Sequence, residues 1–222
     1  MGVPILIMGE SGSGKTTSLR NFKPNEITLL NVSSKLLPFK GKFTINKKGA
    51  TYLDIANALR GGYTNTYVID DANYLMCFES FDKAKETGYG KFTDMAKNFY
   101  DMLKFIINDT PADTVVYLLA HTETSEVTGK IKMKTIGKML DSQLTVEGLF
   151  DIVLMAVADN GQFKFITHSD GTNTTKSPMG MFAENTIDND LRLVDDEIRK
   201  YWDLAPRKEY KAQKANIATA SK

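Results

Sequence analysis

The 222-residue chain has a single cysteine, Cys77, which excludes an intrachain disulfide and makes a reducing compartment the expectation. It has no apolar run near the ~20 residues of a membrane span. The apolar stretch 3–8 is short, has no basic residue before it and runs into a glycine-rich turn. Neither a membrane anchor nor a secretory leader is therefore expected, and the expected location is cytoplasmic. Net charge is only +1, which leaves no overall field pointing to nucleic acid or membrane. Arginine is scarce as well: of 28 basic residues, 23 are lysine and 5 are arginine.

What is present suits one α/β domain over residues 1–204, followed by a short basic tail. The composition is 42% apolar, enough for a sizeable core. Short β-rich runs alternate with segments of helical period, the pattern of a parallel sheet with crossover helices. Strands are predicted at 3–8, 27–32, 66–70, 114–120, 150–157 and 162–168, and helices at 15–22, 51–60, 92–108 and 188–204. Asn160-Gly161 separates the last two strands and is a hairpin signal, so the sheet should end antiparallel. In the third helix Phe92, Met95, Ala96, Phe99, Met102, Leu103 and Ile106 form a stripe that should pack on the sheet. Residues 205–222 carry five Lys/Arg against one Glu and few large apolar groups, the composition of a flexible tail.

Gly9-Glu10-Ser11-Gly12-Ser13-Gly14-Lys15-Thr16 matches the phosphate-loop pattern G-x-x-x-x-G-K-[ST] in full, with Thr17 following. Glycine lets the backbone bend tightly and aim successive N–H groups at one point. Lys15 can then reach the β- and γ-phosphates of a bound nucleotide, and the Thr16 hydroxyl can ligate magnesium. The loop lies between an apolar strand and a predicted helix, the context the chemistry needs. ATP with Mg²⁺ is the ligand this predicts.

A magnesium shell also needs a carboxylate from a neighbouring strand. Tyr67-Val68-Ile69-Asp70-Asp71 supplies two. Asp70 is assigned to the metal, through water. Asp71 either polarises the attacking water or caps a following helix. His121 ends the 114–120 strand and would lie beside the γ-phosphate if that strand neighbours the one ending at Asp70.

On these residues the chain resembles the phage-associated ATP-binding proteins, RecA-like core ATPases that include the Sak-type single-strand annealing proteins. The likeness runs from the first strand and its loop through the Ile69-Asp70-Asp71 strand and Gly88-Tyr89-Gly90. It continues through Leu119-Ala120-His121-Thr122-Glu123-Thr124 and Lys134-Thr135-Ile136-Gly137-Lys138-Met139-Leu140 to Thr175-Lys176-Ser177-Pro178, about residues 3–185. It implies a P-loop NTPase with a RecA-like, mostly parallel sheet flanked by helices, and ATP hydrolysis in recombination, annealing or replication. It implies ATP at the interfaces of a homo-oligomer, with Lys176 completing a neighbour's site. Implied partners are single-stranded DNA and a single-strand binding protein. One departure stands out: RecA-like enzymes place a catalytic glutamate after the second strand, where this chain has Asn31-Val32-Ser33-Ser34-Lys35. Asp71 must then take that role, or hydrolysis is slow.

Lysines without nearby acids mark candidate DNA contacts. Residues 34–48 carry five of them and no acid. Lys130, Lys132 and Lys134 alternate along one predicted strand face, with Lys138 beyond; in the RecA-like group the loop at 122–147 contacts single-stranded DNA. Rival readings are a nucleotide-gated switch that recruits replication proteins with little hydrolysis, a small-molecule P-loop kinase, and an AAA+ motor. The kinase would want an arginine-bearing lid, and the motor a helical lid for which too little chain remains.

Overall fold

The computed structural model describes residues 1–137, 140 and 144–211. Its centre is an eight-stranded sheet. Six strands run parallel: β1 (Val3–Met8), β2 (Thr28–Asn31), β3 (Ile45–Lys48), β4 (Thr66–Asp70), β5 (Val115–Ala120) and β8 (Ile152–Asp159). A two-stranded ribbon, β6 (Thr122–Thr124) and β7 (Ile131–Met133), stands apart from it. β9 (Gln162–Ile166) and β10 (Thr186–Asp188) add antiparallel at one edge, giving the order β10-β9-β8-β1-β5-β4-β2-β3. The chain is thus α/β, with a mostly parallel sheet flanked by helices.

The apolar runs explain the layering. β4 and β5 are buried along their whole lengths, because helices cover both faces. On one face Leu6, Met8, Val116 and Leu118 meet α1 (Tyr52–Gly61), α2 (Tyr74–Asp82) and α3 (Gly90–Asp109). On the other, Ile5, Ile7, Tyr117 and Leu119 meet a 3₁₀ turn at Thr16–Asn21 and α4 (Leu191–Tyr201). A capping box between Thr51 and Asp54 starts α1. The Asn160-Gly161 turn has φ of 48° and 79°, the left-handed pair that a tight hairpin demands.

Several expectations need correction. The helix predicted at 15–22 is a six-residue 3₁₀ turn. The predicted strands missed β3, β6 and β10, which are short and polar, and the predicted helices missed α2; β7 falls within the lysine-alternating strand face expected at 130–134. Phe92 leaves the buried stripe of α3 and is 37% exposed, with the Lys91 ammonium over its ring.

The tail also begins later than its composition suggested. Arg207 Nη1 donates to Asp195 Oδ2 at 2.8 Å, Lys208 N to Asn65 Oδ1 at 2.7 Å and Tyr210 N to Asn25 O at 2.8 Å. This segment is held because Asp195 is wholly buried and draws cations: Arg199 Nε donates to it at 2.8 Å alongside Arg207, and the Tyr117 hydroxyl adds a third bond at 3.0 Å. Residues 212–222 lie outside the described residues. Among the described residues no helix is long and apolar enough to cross a membrane.

Removing Arg199 takes one of two guanidinium partners from buried Asp195 and leaves the Asn65, Asp113 and Ala205 carbonyls without that donor. Arg199→Ala should lower the unfolding free energy by about 3–5 kcal/mol, measured by urea denaturation.

Candidate functional site

The site lies at the carboxyl ends of β1, β5 and β4. β5 stands between the other two, pairing Met8 with Ala120 on one side and Leu118 with Ile69 on the other. The loop after β1 and the acids after β4 therefore face each other across the end of β5.

Glycine is required twice in the 9–16 loop. A Cβ on Gly9 would stand 2.6 Å from the Ala156 carbonyl oxygen and 2.5 Å from Ser13 Oγ. Gly14 has φ +94° and lies against the Phe163 ring, where a Cβ would come within 2.7 Å. These walls fold the loop inward. Lys15 is 6% exposed, and its Nζ donates to the Gly9 and Glu10 carbonyls, each at 2.8 Å. Burial lowers its pKa to about 8 against the opposing pull of Asp71 and Asp70. Ser13 Oγ is buried with no hydrogen-bond partner among the described residues. Bent backbone, a desolvated ammonium and an orphaned hydroxyl together suit an anionic ligand.

Across the gap, Thr16 Oγ1 lies 3.0 Å from Asp70 Oδ1 and 3.2 Å from Oδ2. Asp70 is 3% exposed, and burial followed by repulsion from Asp71 raises its pKa to about 6. The Thr16 hydroxyl, Lys15 and Lys35 pull the other way. A buried carboxylate facing a hydroxyl fits a divalent cation. Among the described residues no three His, Cys, Asp or Glu side chains converge on a metal-sized space. A Mg²⁺ held by Thr16 and Asp70 would take its other ligands from water and phosphate oxygens, as this ion commonly does.

Asp71 belongs to a separate cluster. Its φ is +60°, a strained value for a residue with a side chain. Its carboxylate accepts from Ser33 Oγ at 2.6 Å and Lys35 Nζ at 2.9 Å, and His121 Nε2 is 3.4 Å away. Burial pushes this carboxyl up, but His121, Ser33 and Lys35 outweigh it and hold it well below the usual carboxylate range. The capping alternative fails: α2 starts after Asn73, and the Asp71 side chain is committed to these three groups. His121 does lie beside the acid strand. Its ring is edge-on to Tyr74 at 5.7 Å, and its backbone N–H donates to Asn73 Oδ1 at 3.1 Å.

Ser33, Lys35 and Tyr74 were not singled out as site residues. Lys35 was visible as an unopposed lysine, and that reading of residues 34–48 fails in space for two of its five lysines. Lys35 meets Asp71 from β4, and Lys47 meets Asp54 from α1 at 3.1 Å. The acids come from other elements, which no local count can reveal.

The remaining candidates lie further out. Lys176 exchanges backbone hydrogen bonds with Val153 at 2.8 and 2.9 Å, level with Leu6 of β1 rather than with the loop after Met8. Its ammonium acts on Asp151, whose carboxyl burial pushes up. It takes no part in this chain's own loop cluster. Lys130, Lys132 and Lys134 do alternate with inward-facing Ile131 and Met133; Lys130 and Lys134 are exposed, while Lys132 meets Glu123 at 3.3 Å. The Lys134 N–H donates to the His121 carbonyl at 2.8 Å, tying this hairpin to the site. Thr122 and Ile131 also share a cavity of about 280 Å³ with residues 9–13 and the end of β8. Lys138 lies outside the described residues.

The Asp70 shift carries a sign. Its folded pKa of about 6 exceeds the ordinary 3.8, so the protonated acid favours the fold and that stabilisation is lost as pH rises through about 6. Without ligand, Asp70→Asn should therefore stabilise the protein by on the order of 2–3 kcal/mol at about pH 7.5 and have little effect near about pH 4. Thermal unfolding across that range measures it. Compared with known proteins, the chain matches no protein-family model and no curated protein, so the site is read from its own geometry.

Proposed function

We propose that this chain is a P-loop ATPase of RecA-like type, akin to the phage recombination and annealing group it resembles, that binds Mg²⁺·ATP at residues 9–17 and acts on single-stranded DNA. The observation that carries this reading is the contact of the Thr16 hydroxyl with buried Asp70, 3.0 Å across the end of β5. Two segments 54 residues apart meet there in the pairing that a magnesium shell uses.

In this reading Lys15 leaves the Gly9 and Glu10 carbonyls for the phosphates, and Ser13 gains a partner. Thr16 and Asp70 would hold Mg²⁺, whose charge would offset that of the phosphate oxygens. Water attacks the γ-phosphorus as the bond to the bridging oxygen breaks, and ADP leaves with that electron pair. Asp71 orients the water by accepting its hydrogen bond, and the proton passes to solvent. A carboxyl held so far below the working pH is a weak base. That supports slow turnover, and with it the second reading, a nucleotide-gated switch that recruits replication proteins.

The β6–β7 hairpin is the proposed DNA element. Exposed Lys130 and Lys134 supply sequence-independent attraction to phosphates, and the bond from Lys134 to His121 links them to the nucleotide. Lys176 is the proposed cation for a neighbouring copy's nucleotide.

Lys15→Ala should abolish ATP binding in calorimetry, and unchanged affinity would remove the site. Asp71→Asn should slow phosphate release, with or without single-stranded DNA, while ATP affinity stays within about threefold (below ~0.7 kcal/mol). Lys130→Ala with Lys134→Ala should weaken single-stranded DNA binding and flatten its log–log salt slope by about 1.4; an unaltered slope places the contact elsewhere.

A further inference from the structure

The connection between β2 and β3 brings a cation to the place where the sequence offers no acid. The Lys35 carbonyl accepts from Asn31 Nδ2 at 2.8 Å, which fixes the backbone there. Its side chain remains 59% exposed, with the ammonium 2.9 Å from Asp71 Oδ2 and 5.2 Å from the Tyr74 ring centre. Asp71 follows directly on Asp70, which holds Thr16, and stands beside His121 at the end of β5. Lys35 thus closes the arc that runs from the 9–16 loop over β5 and β4 to β2. Unlike Lys15, whose head is buried on two carbonyls, it has a solvent-facing stem that can swing.

A terminal phosphate would compete for that ammonium. Asp71 offers it one negative charge, whereas a phosphoryl group carries about two and more acceptor oxygens. A nucleoside diphosphate lacks that group. We propose that Lys35 moves from Asp71 to the terminal phosphate of a bound nucleoside triphosphate, so that it distinguishes triphosphate from diphosphate and releases Asp71 to the attacking water. The inference rests on the nucleotide reading above. It places within one chain a charge that the family resemblance assigns to a neighbour's Lys176, and it gives the acid-free end of β2 a role.

The test is calorimetry on the full chain with Mg²⁺·ADP and with a Mg²⁺-bound, non-hydrolysable ATP analogue. Lys35→Ala should weaken the triphosphate analogue about 10–100-fold and change ADP affinity less than about twofold (~0.4 kcal/mol). Lys35→Arg should recover part of the difference. If Lys35→Ala keeps the wild-type ratio of the two affinities, the proposal is overturned and the nucleotide site stands. Equal weakening of both ligands with a lowered unfolding temperature makes Lys35 a structural support and overturns it as well. A wild-type chain that binds neither nucleotide removes the site and this role together.

Discussion

A carboxylate shut away at the end of a central strand must find a partner or stay protonated, and among the described residues the Asp70 carboxyl hydrogen-bonds to the hydroxyl of Thr16 alone. Much of the surrounding architecture bears on that contact. β5 lies between β4, which ends in Asp70, and β1, whose following loop leads to Thr16, so the contact spans the end of β5, where His121 lies 3.4 Å from Asp71. The walls at Gly9 and Gly14 set where Thr16 can be. The remaining imbalance, an acid biased toward neutrality opposite a desolvated ammonium at Lys15, is the cost of a cleft suited to a cation and an anion together.

The two acids of β4 show how neighbours in sequence can be set to different tasks. Asp70 continues the strand and points to the 9–16 loop. At Asp71 the backbone turns into the left-handed region, which swings its side chain toward two donors from the β2 end, Ser33 and Lys35, with His121 Nε2 3.4 Å away. Burial dominates for one carboxyl, and hydrogen bonds overcome burial for the other. The strain at Asp71 keeps them apart.

How much of this was legible beforehand follows from the range of each interaction. The phosphate-loop pattern is local, and so is the apolar strand that ends in Asp70-Asp71; both could be read directly. Continuous apolar runs marked the buried strands, and Asn160-Gly161 marked the hairpin. β3 and β6 escaped because such short polar strands carry no alternation strong enough to see, whereas the lysine alternation around β7 was visible. Lys35 and Ser33 escaped for another reason: their partner Asp71 becomes a neighbour only once β2 lies beside β4. Arg207 looked like part of a solvated tail, since the buried Asp195 that holds it sits on a helix twelve residues away. Tertiary charge pairing is invisible to local composition.

The packing of Phe163 on Gly14 bears on how small a working unit of this fold can be. The aromatic ring comes from β9, outside the parallel part of the sheet, yet it forms one wall of the bend that carries Lys15 and Thr16. A version trimmed to the six parallel strands would keep every residue of the phosphate-loop pattern and lose the buttress behind it. The antiparallel margin is therefore an integral part of the cleft, and its length is not free to drift like that of an ornamental edge.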